Sequence, residues 1–121
     1  MKISTVKENN WEITIVNSSD VIIGDVQSAL DLIATVSYET GSNRIIINKS
    51  AVCEEFFDLS TKIAGETLQK FINYGTKLAI VGDFSNNTSK SLRDFIYECN
   101  KGKDIFFLSD EKEAIEKLSR V

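Results

Sequence analysis

The chain has 121 residues, of which 42% are hydrophobic and 26% charged, as expected of one soluble globular domain. A net charge of −4, with lysines scattered among acids, excludes a global attraction for phosphodiester backbones, so no nucleic-acid partner is expected. The absence of histidine excludes imidazole-dependent hydrolases and histidine phosphorelay and leaves too few ligands for common zinc sites, so no catalytic residue, metal or cofactor is expected.

In chain order, Lys2–Lys7 and Trp11–Val16 read as two strands. Asn9-Asn10 between them tolerates the positive φ of a tight hairpin. After a polar loop, Asn17–Asp20, a helix begins near Asp25, a capping residue. It carries Val26, Ala29, Leu30, Ile33 and Val36 and ends before Gly41. Arg44–Asn48 contains Ile45-Ile46-Ile47, an uninterrupted β-branched run suited to a strand covered on both faces. Phe56-Phe57-Asp58-Leu59-Ser60-Thr61 leads into a second helix bearing Ile63, Ala64, Leu68, Phe71 and Ile72, terminated by Gly75.

Lys77–Val81 is a buried strand ending at Gly82-Asp83. A polar turn follows, and then Leu92, Phe95, Ile96 and Cys99 recur at helical spacing before Gly102. Ile105–Leu108 is the last strand, and Asp110 with Glu113 starts a final helix like a capping box. The order ββαβαβαβα predicts a single α/β domain with a five-stranded, mostly parallel mixed sheet, a doubly wound arrangement being the alternative. No apolar run reaches membrane-span length and residues 1 to 20 lack an export signal's apolar core, so a cytoplasmic protein without membrane association is expected. The two cysteines suit a reducing compartment. Cys99 reads as a core filler, and Glu54 and Glu55 should raise the pKa of Cys53.

Two segments carry candidate sites. Asp58, Ser60 and Thr61 stand at a helix start, where a hydroxyl caps the backbone or accepts a phosphate near free amides. Gly82, Asp83, Phe84, Ser85, Thr88 and Ser89 line the loop beyond the fourth strand. There glycine lets a ligand approach and hydroxyls with helix amides could hold an anion, which Asp83 would oppose. Phe84 is the aromatic expected to be exposed for a partner. No Gly-rich nucleotide motif is present. A non-catalytic regulatory or protein-interaction module is expected, with an unidentified protein partner and homodimerisation open; the alternative is a small-molecule or anion binder, or a weak enzyme, using the crevice at the carboxyl ends of the parallel strands around Asp58, Gly82 and Asp83.

Asp25-Val-Gln-Ser-Ala-Leu-Asp-Leu, Glu55-Phe-Phe-Asp-Leu, Ala64-Gly-Glu-Thr-Leu-Gln-Lys-Phe-Ile-Asn-Tyr, Lys77-Leu-Ala-Ile-Val-Gly-Asp-Phe-Ser and Thr88-Ser-Lys-Ser-Leu-Arg-Asp-Phe-Ile-Tyr-Glu resemble the bacterial family called domain of unknown function 4180. That resemblance implies no activity. The element order is similar, more distantly, to the STAS superfamily of anti-sigma-factor antagonists and transporter regulatory domains. In that superfamily, D-S-S-G-L-G opens the helix after the third strand and its second serine is phosphorylated. Phe57-Asp58-Leu59-Ser60-Thr61-Lys62 stands at the corresponding place, with Leu59 for the first serine and Thr61-Lys62 for Gly-Leu. The resemblance implies a STAS-like fold, with Ser60 as first and Thr61 as second candidate phosphate acceptor.

Overall fold

Asn9 and Asn10 take φ of 51° and 69°, the left-handed pair that a two-residue hairpin turn requires. They fold β1 (Lys2–Glu8) antiparallel onto β2 (Trp11–Asn17), in unbroken register from Glu8↔Trp11 to Lys2↔Asn17. Each strand runs one residue beyond its sequence expectation. The computed structural model describes residues 1–86 and 89–121. Among the described residues, the hairpin is followed by α1 (Val26–Thr40), β3 (Arg44–Asn48), α2 (Ile63–Asn73), β4 (Lys77–Val81), α3 (Lys90–Lys101), β5 (Ile105–Leu108) and α4 (Glu111–Leu118).

Local chemistry explains where these helices start and stop. The Asp25 carboxylate accepts from Ser28 N at 2.8 Å, and Ser28 Oγ accepts from Asp25 N at 3.0 Å, a reciprocal cap on α1. Gly41 ends that helix at φ 72°, its N–H donating to Ser37 O. The capping box expected at α4 is only half formed. Asp110 accepts from Glu113 N at 2.7 Å, but the Glu113 carboxylate accepts from Ser109 Oγ instead. Three short 3-10 turns, Lys49–Ala51, Glu54–Phe57 and Leu59–Thr61, separate β3 from α2.

Strands β2 to β5 are parallel, and the sheet order is simply β1-β2-β3-β4-β5. A doubly wound fold needs a reversal of strand order in mid-sheet, which creates its ligand crevice. None occurs here, so that alternative fails. Right-handed crossovers between sequential neighbours place successive helices on one face. Accordingly α1, α2 and α3 pack on the face carrying Val16, Ile45, Ile47, Leu78, Ile80 and Phe107. The opposite face, with Ile13, Ile15, Ile46, Ala79 and Phe106, is covered by α4 through Ala114 and Leu118.

A buried cation fastens α4. Arg44 is 2% exposed. Its Nε donates to Leu118 O at 2.9 Å, its Nη2 to Val121 O, and its Nη1 to Asn43 Oδ1 at 3.0 Å, while the guanidinium lies 3.4 Å from the Trp11 ring centroid. The hydrogen bonds and the ring together compensate a charge removed from water.

The two sheet edges are finished differently. On β5 the side-chain amide of Asn100 accepts from Phe107 N at 2.8 Å and donates to Phe107 O at 3.1 Å, standing in for a sixth strand. Asn48 treats Ser18, just past β2, in the same way, at 2.9 and 2.7 Å. On β1 no such side chain reaches the outward edge among the described residues.

Candidate functional site

Lys49 follows directly on β3 and organises the carboxyl end of the sheet. Its stem crosses the backbone at Gly82, where a Cβ would stand 2.5 Å from Lys49 Cβ. Glycine is required there by the close approach. Lys49 Nζ donates to Asp83 O at 2.6 Å and lies 4.9 Å from the Phe84 ring centroid and 5.6 Å from that of Phe57. Phe57 and Phe84 are themselves 6.1 Å apart, and Phe84 meets Phe107 edge-on at 5.5 Å. The half-buried Phe84 is therefore a member of an aromatic cluster resting on the core, not the exposed anchor expected from the sequence. Its polar turn folds back over β5 because Phe84 finds more apolar surface there than in solvent. Among the described residues the exposed aromatics lie elsewhere, Tyr38, Tyr74 and Tyr97 on helices or helix ends and Trp11 at the start of β2.

The two candidate segments share one device. Asp58 Oδ1 accepts from Ser60 N at 3.0 Å and from Ser60 Oγ at 2.6 Å. Asp83 Oδ1 accepts from Ser85 N at 2.9 Å and from Ser85 Oγ at 2.5 Å. In each Asp-x-Ser turn the middle residue, Leu59 or Phe84, packs on the core. Hydrogen bonds from Ser60, side chain before backbone, hold Asp58 below the usual carboxylate pKa. Ser85 does the same for Asp83, with a smaller contribution from the Lys49 charge.

The hydroxyls also differ in role from the sequence expectation. Ser60 does not cap α2, which begins three residues later. Thr61 Oγ1 accepts from Ile63 N at 3.3 Å, so Thr61 supplies that weak cap, and it also bonds Glu55 O and Asp58 O at 2.8 Å each. Lys62 takes φ 66° between the last 3-10 turn and α2. Ser89 caps α3, accepting from Leu92 N at 3.2 Å. Thr88 lies outside the described residues.

Gly82, Asp83, Phe84 and Ser85 line one open pocket of about 460 Å³, together with Glu113 from α4. Asp58, Ser60, Thr61 and Ser89 are not in its wall. A second groove, about 420 Å³, is lined by Val21, Lys49, Val52, Glu54 and Phe57. Among the described residues no group of three or more His, Cys, Asp or Glu side chains is placed to hold a metal ion. Both thiols are held above their usual pKa. For Cys53 burial is the main cause and Glu55, one of the two acids expected from sequence to raise it, a lesser one. For Cys99 burial again leads, with Glu98 adding to it. Neither is activated as a thiolate.

Sequence reasoning missed Lys49, Phe57 and Arg44 as organising residues. A lysine directly after a buried strand, facing a glycine directly after the next, was the available signal for the first. Arg44 had one too, as a cation heading an otherwise apolar strand with an aromatic on the neighbouring strand.

These features define an α/β domain with a chain-ordered mixed sheet, an antiparallel edge hairpin and side-chain-stitched turns where nucleotide-binding proteins carry glycine-rich loops. Residues 8–118 match the family model described as Domain of unknown function (DUF4180), and the chain belongs to that family. No curated protein and no solved structure matches it. Among the described residues no helix is long and apolar enough to cross a membrane.

Proposed function

We propose that this chain is a non-catalytic regulatory module of the cytoplasm, STAS-like in fold, that docks a protein segment on the groove between Val21, Lys49 and Phe57. The observation carrying this reading is the closure of both Asp-x-Ser turns on themselves. The carboxylates and hydroxyls that a catalyst or an anion site would present are hydrogen-bonded within their own turns. What is offered outward is apolar: Val21 is 56% exposed and Phe57 half-buried, beside Glu54, Glu55 and Asp58. An apolar side chain flanked by Lys or Arg is the segment that suits such a surface. Phosphate on Ser60 would remove its bond to Asp58 and set a dianion beside that carboxylate, opening the turn next to the groove. STAS-like switching would act through that change.

Affinity capture from host extract with the wild-type chain and a Val21→Glu variant tests the proposal. A stoichiometric partner retained by the first and lost by the second is expected; a partner held equally by both would overturn the assigned surface. A second reading is favoured by the placement of Asp83 and Glu113 in one pocket, which suits a small ligand bearing amine or hydroxyl donors. Saturable thermal stabilisation by such a ligand, abolished in Glu113→Gln, would favour it over protein docking.

A further inference from the structure

Every backbone group on β1 can be assigned a direction. Ser42 Oγ donates to Glu12 O, and the Asn48 amide bonds both Ser18 N and Ser18 O, so the even-numbered groups of β2 point toward β3. The odd-numbered groups of β2 therefore point toward β1, where the register sets Lys2, Ser4, Val6 and Glu8 opposite Asn17, Ile15, Ile13 and Trp11. The N–H and C=O groups of Ile3, Thr5 and Lys7 are left facing outward along the free edge.

This edge lacks most of the devices that blunt an open strand. It is seven residues long, free of proline, and paired to β2 without a bulge. The opposite edge strand has four residues and is closed at Phe107 by Asn100. The contrast lies within one sheet.

We infer that β1 pairs with β1 of a second copy of this chain, antiparallel about a two-fold axis at Thr5, to give a continuous ten-stranded sheet. Centred there, Ile3, Thr5 and Lys7 face Lys7, Thr5 and Ile3 of the second copy. The outward groups match parity and form six backbone hydrogen bonds. The intervening pairs set Lys2 opposite Glu8, twice by symmetry, and Ser4 opposite Val6. Sliding the centre to Ser4 sets Lys2 opposite Val6; sliding it to Val6 sets Glu8 opposite Ser4. Either shift costs both ion pairs. Odd-numbered slips oppose outward groups with inward ones. The charge pattern of the strand is thus self-complementary in one register, as a two-fold interface requires.

Sedimentation velocity over a concentration series tests the proposal. The wild-type chain is expected at twice its 13.5 kDa mass. Thr5→Pro removes an outward N–H that β2 does not use and is expected to give the single-chain mass with an unchanged circular dichroism spectrum. Lys2→Glu sets an acid against Glu8 of the second copy, twice by symmetry, and should weaken association about tenfold. Adding Glu8→Lys to Lys2→Glu should restore it. A wild-type chain that stays at 13.5 kDa at the highest concentration overturns the inference. So does a dimer indifferent to Lys2→Glu, which holds even if Thr5→Pro fails to fold, since that result would assign dimerisation to another surface.

Discussion

The two faces of the sheet are held by different physics. On one, α1, α2 and α3 bury a broad aliphatic and aromatic layer in which Phe71 and Phe56 are fully enclosed. On the other, among the described residues, the eight-residue α4 covers Ile13, Ile46, Ala79 and Phe106, with Arg44 fixed to carbonyls at its end. The broad layer distributes its stability over many contacts. The narrow one concentrates much of its own in a single polar fastening, as expected when one short amphipathic helix must cover several strands.

Truncating the enclosed ring on either face gives the largest effect. Phe71→Ala and Phe106→Ala should each lower unfolding free energy by about 3–5 kcal/mol in urea titrations. If Phe106→Ala cost under about 1 kcal/mol, the second face would not be a core and the comparison would break. Arg44→Met comes next, at about 2–3 kcal/mol, because the carbonyls of Leu118 and Val121 lose their donors. Hydrogen exchange sharpens that result: amides of α4 should lose protection while those of α1 and α2 keep it. Gly82→Ala should cost about 1–3 kcal/mol through overpacking against Lys49. Thr67→Val should stabilise by up to about 1 kcal/mol, since Thr67 Oγ1 is buried on the three-helix face without a hydrogen-bond partner among the described residues.

The smallest effect is set by pH. Asp25, Asp58 and Asp83 stand on the three connections entering the three-helix face. Serine hydrogen bonds hold each below the ordinary pKa of 3.8. Their contribution is present above that value and is lost as pH falls through the lower folded pKa. Exchange at the amides of Ser28, Ser60 and Ser85 should rise on acidification below the ordinary carboxylate range. The bond from Arg44 Nε to the Leu118 carbonyl does not titrate there and should persist. NMR titration of Ser60→Ala and Ser85→Ala should find the Asp58 and Asp83 carboxyls nearer 3.8. Unmoved carboxyls would show that the turns are not closed as described.

Much of the fold was legible in residue order. The run Ile45-Ile46-Ile47 marks a strand covered twice, Asn9-Asn10 marks the hairpin, and Asp25 and Gly41 bracket α1. These signals act over a few residues, so sequence displays them. The sequence shows Phe56–Thr61 only as a lead into a helix and marks no element over residues 49–55, yet this stretch holds three 3-10 turns. Those turns are held by partners distant in sequence, such as Ile23, whose carbonyl accepts from Cys53 N at 2.9 Å. The candidate site was legible as two segments. Their meeting through Phe57, Phe84 and Lys49 was not, because it depends on β3 and β4 being neighbours. Both Asp-x-Ser turns can be read in the sequence once one of them has been seen.

The chain-ordered sheet also bears on how the protein is made. Each strand, as it leaves the ribosome, finds its neighbour already in place, and its connecting helix settles on a surface that the preceding unit has prepared. Assembly by accretion keeps loop closures short. The exception is α4, which must reach back across β5 and β4 to the arginine that heads β3. Until α4 docks, Ile13, Ile46 and Phe106 lack their cover, so the second face of the sheet stays open to water after the first has closed.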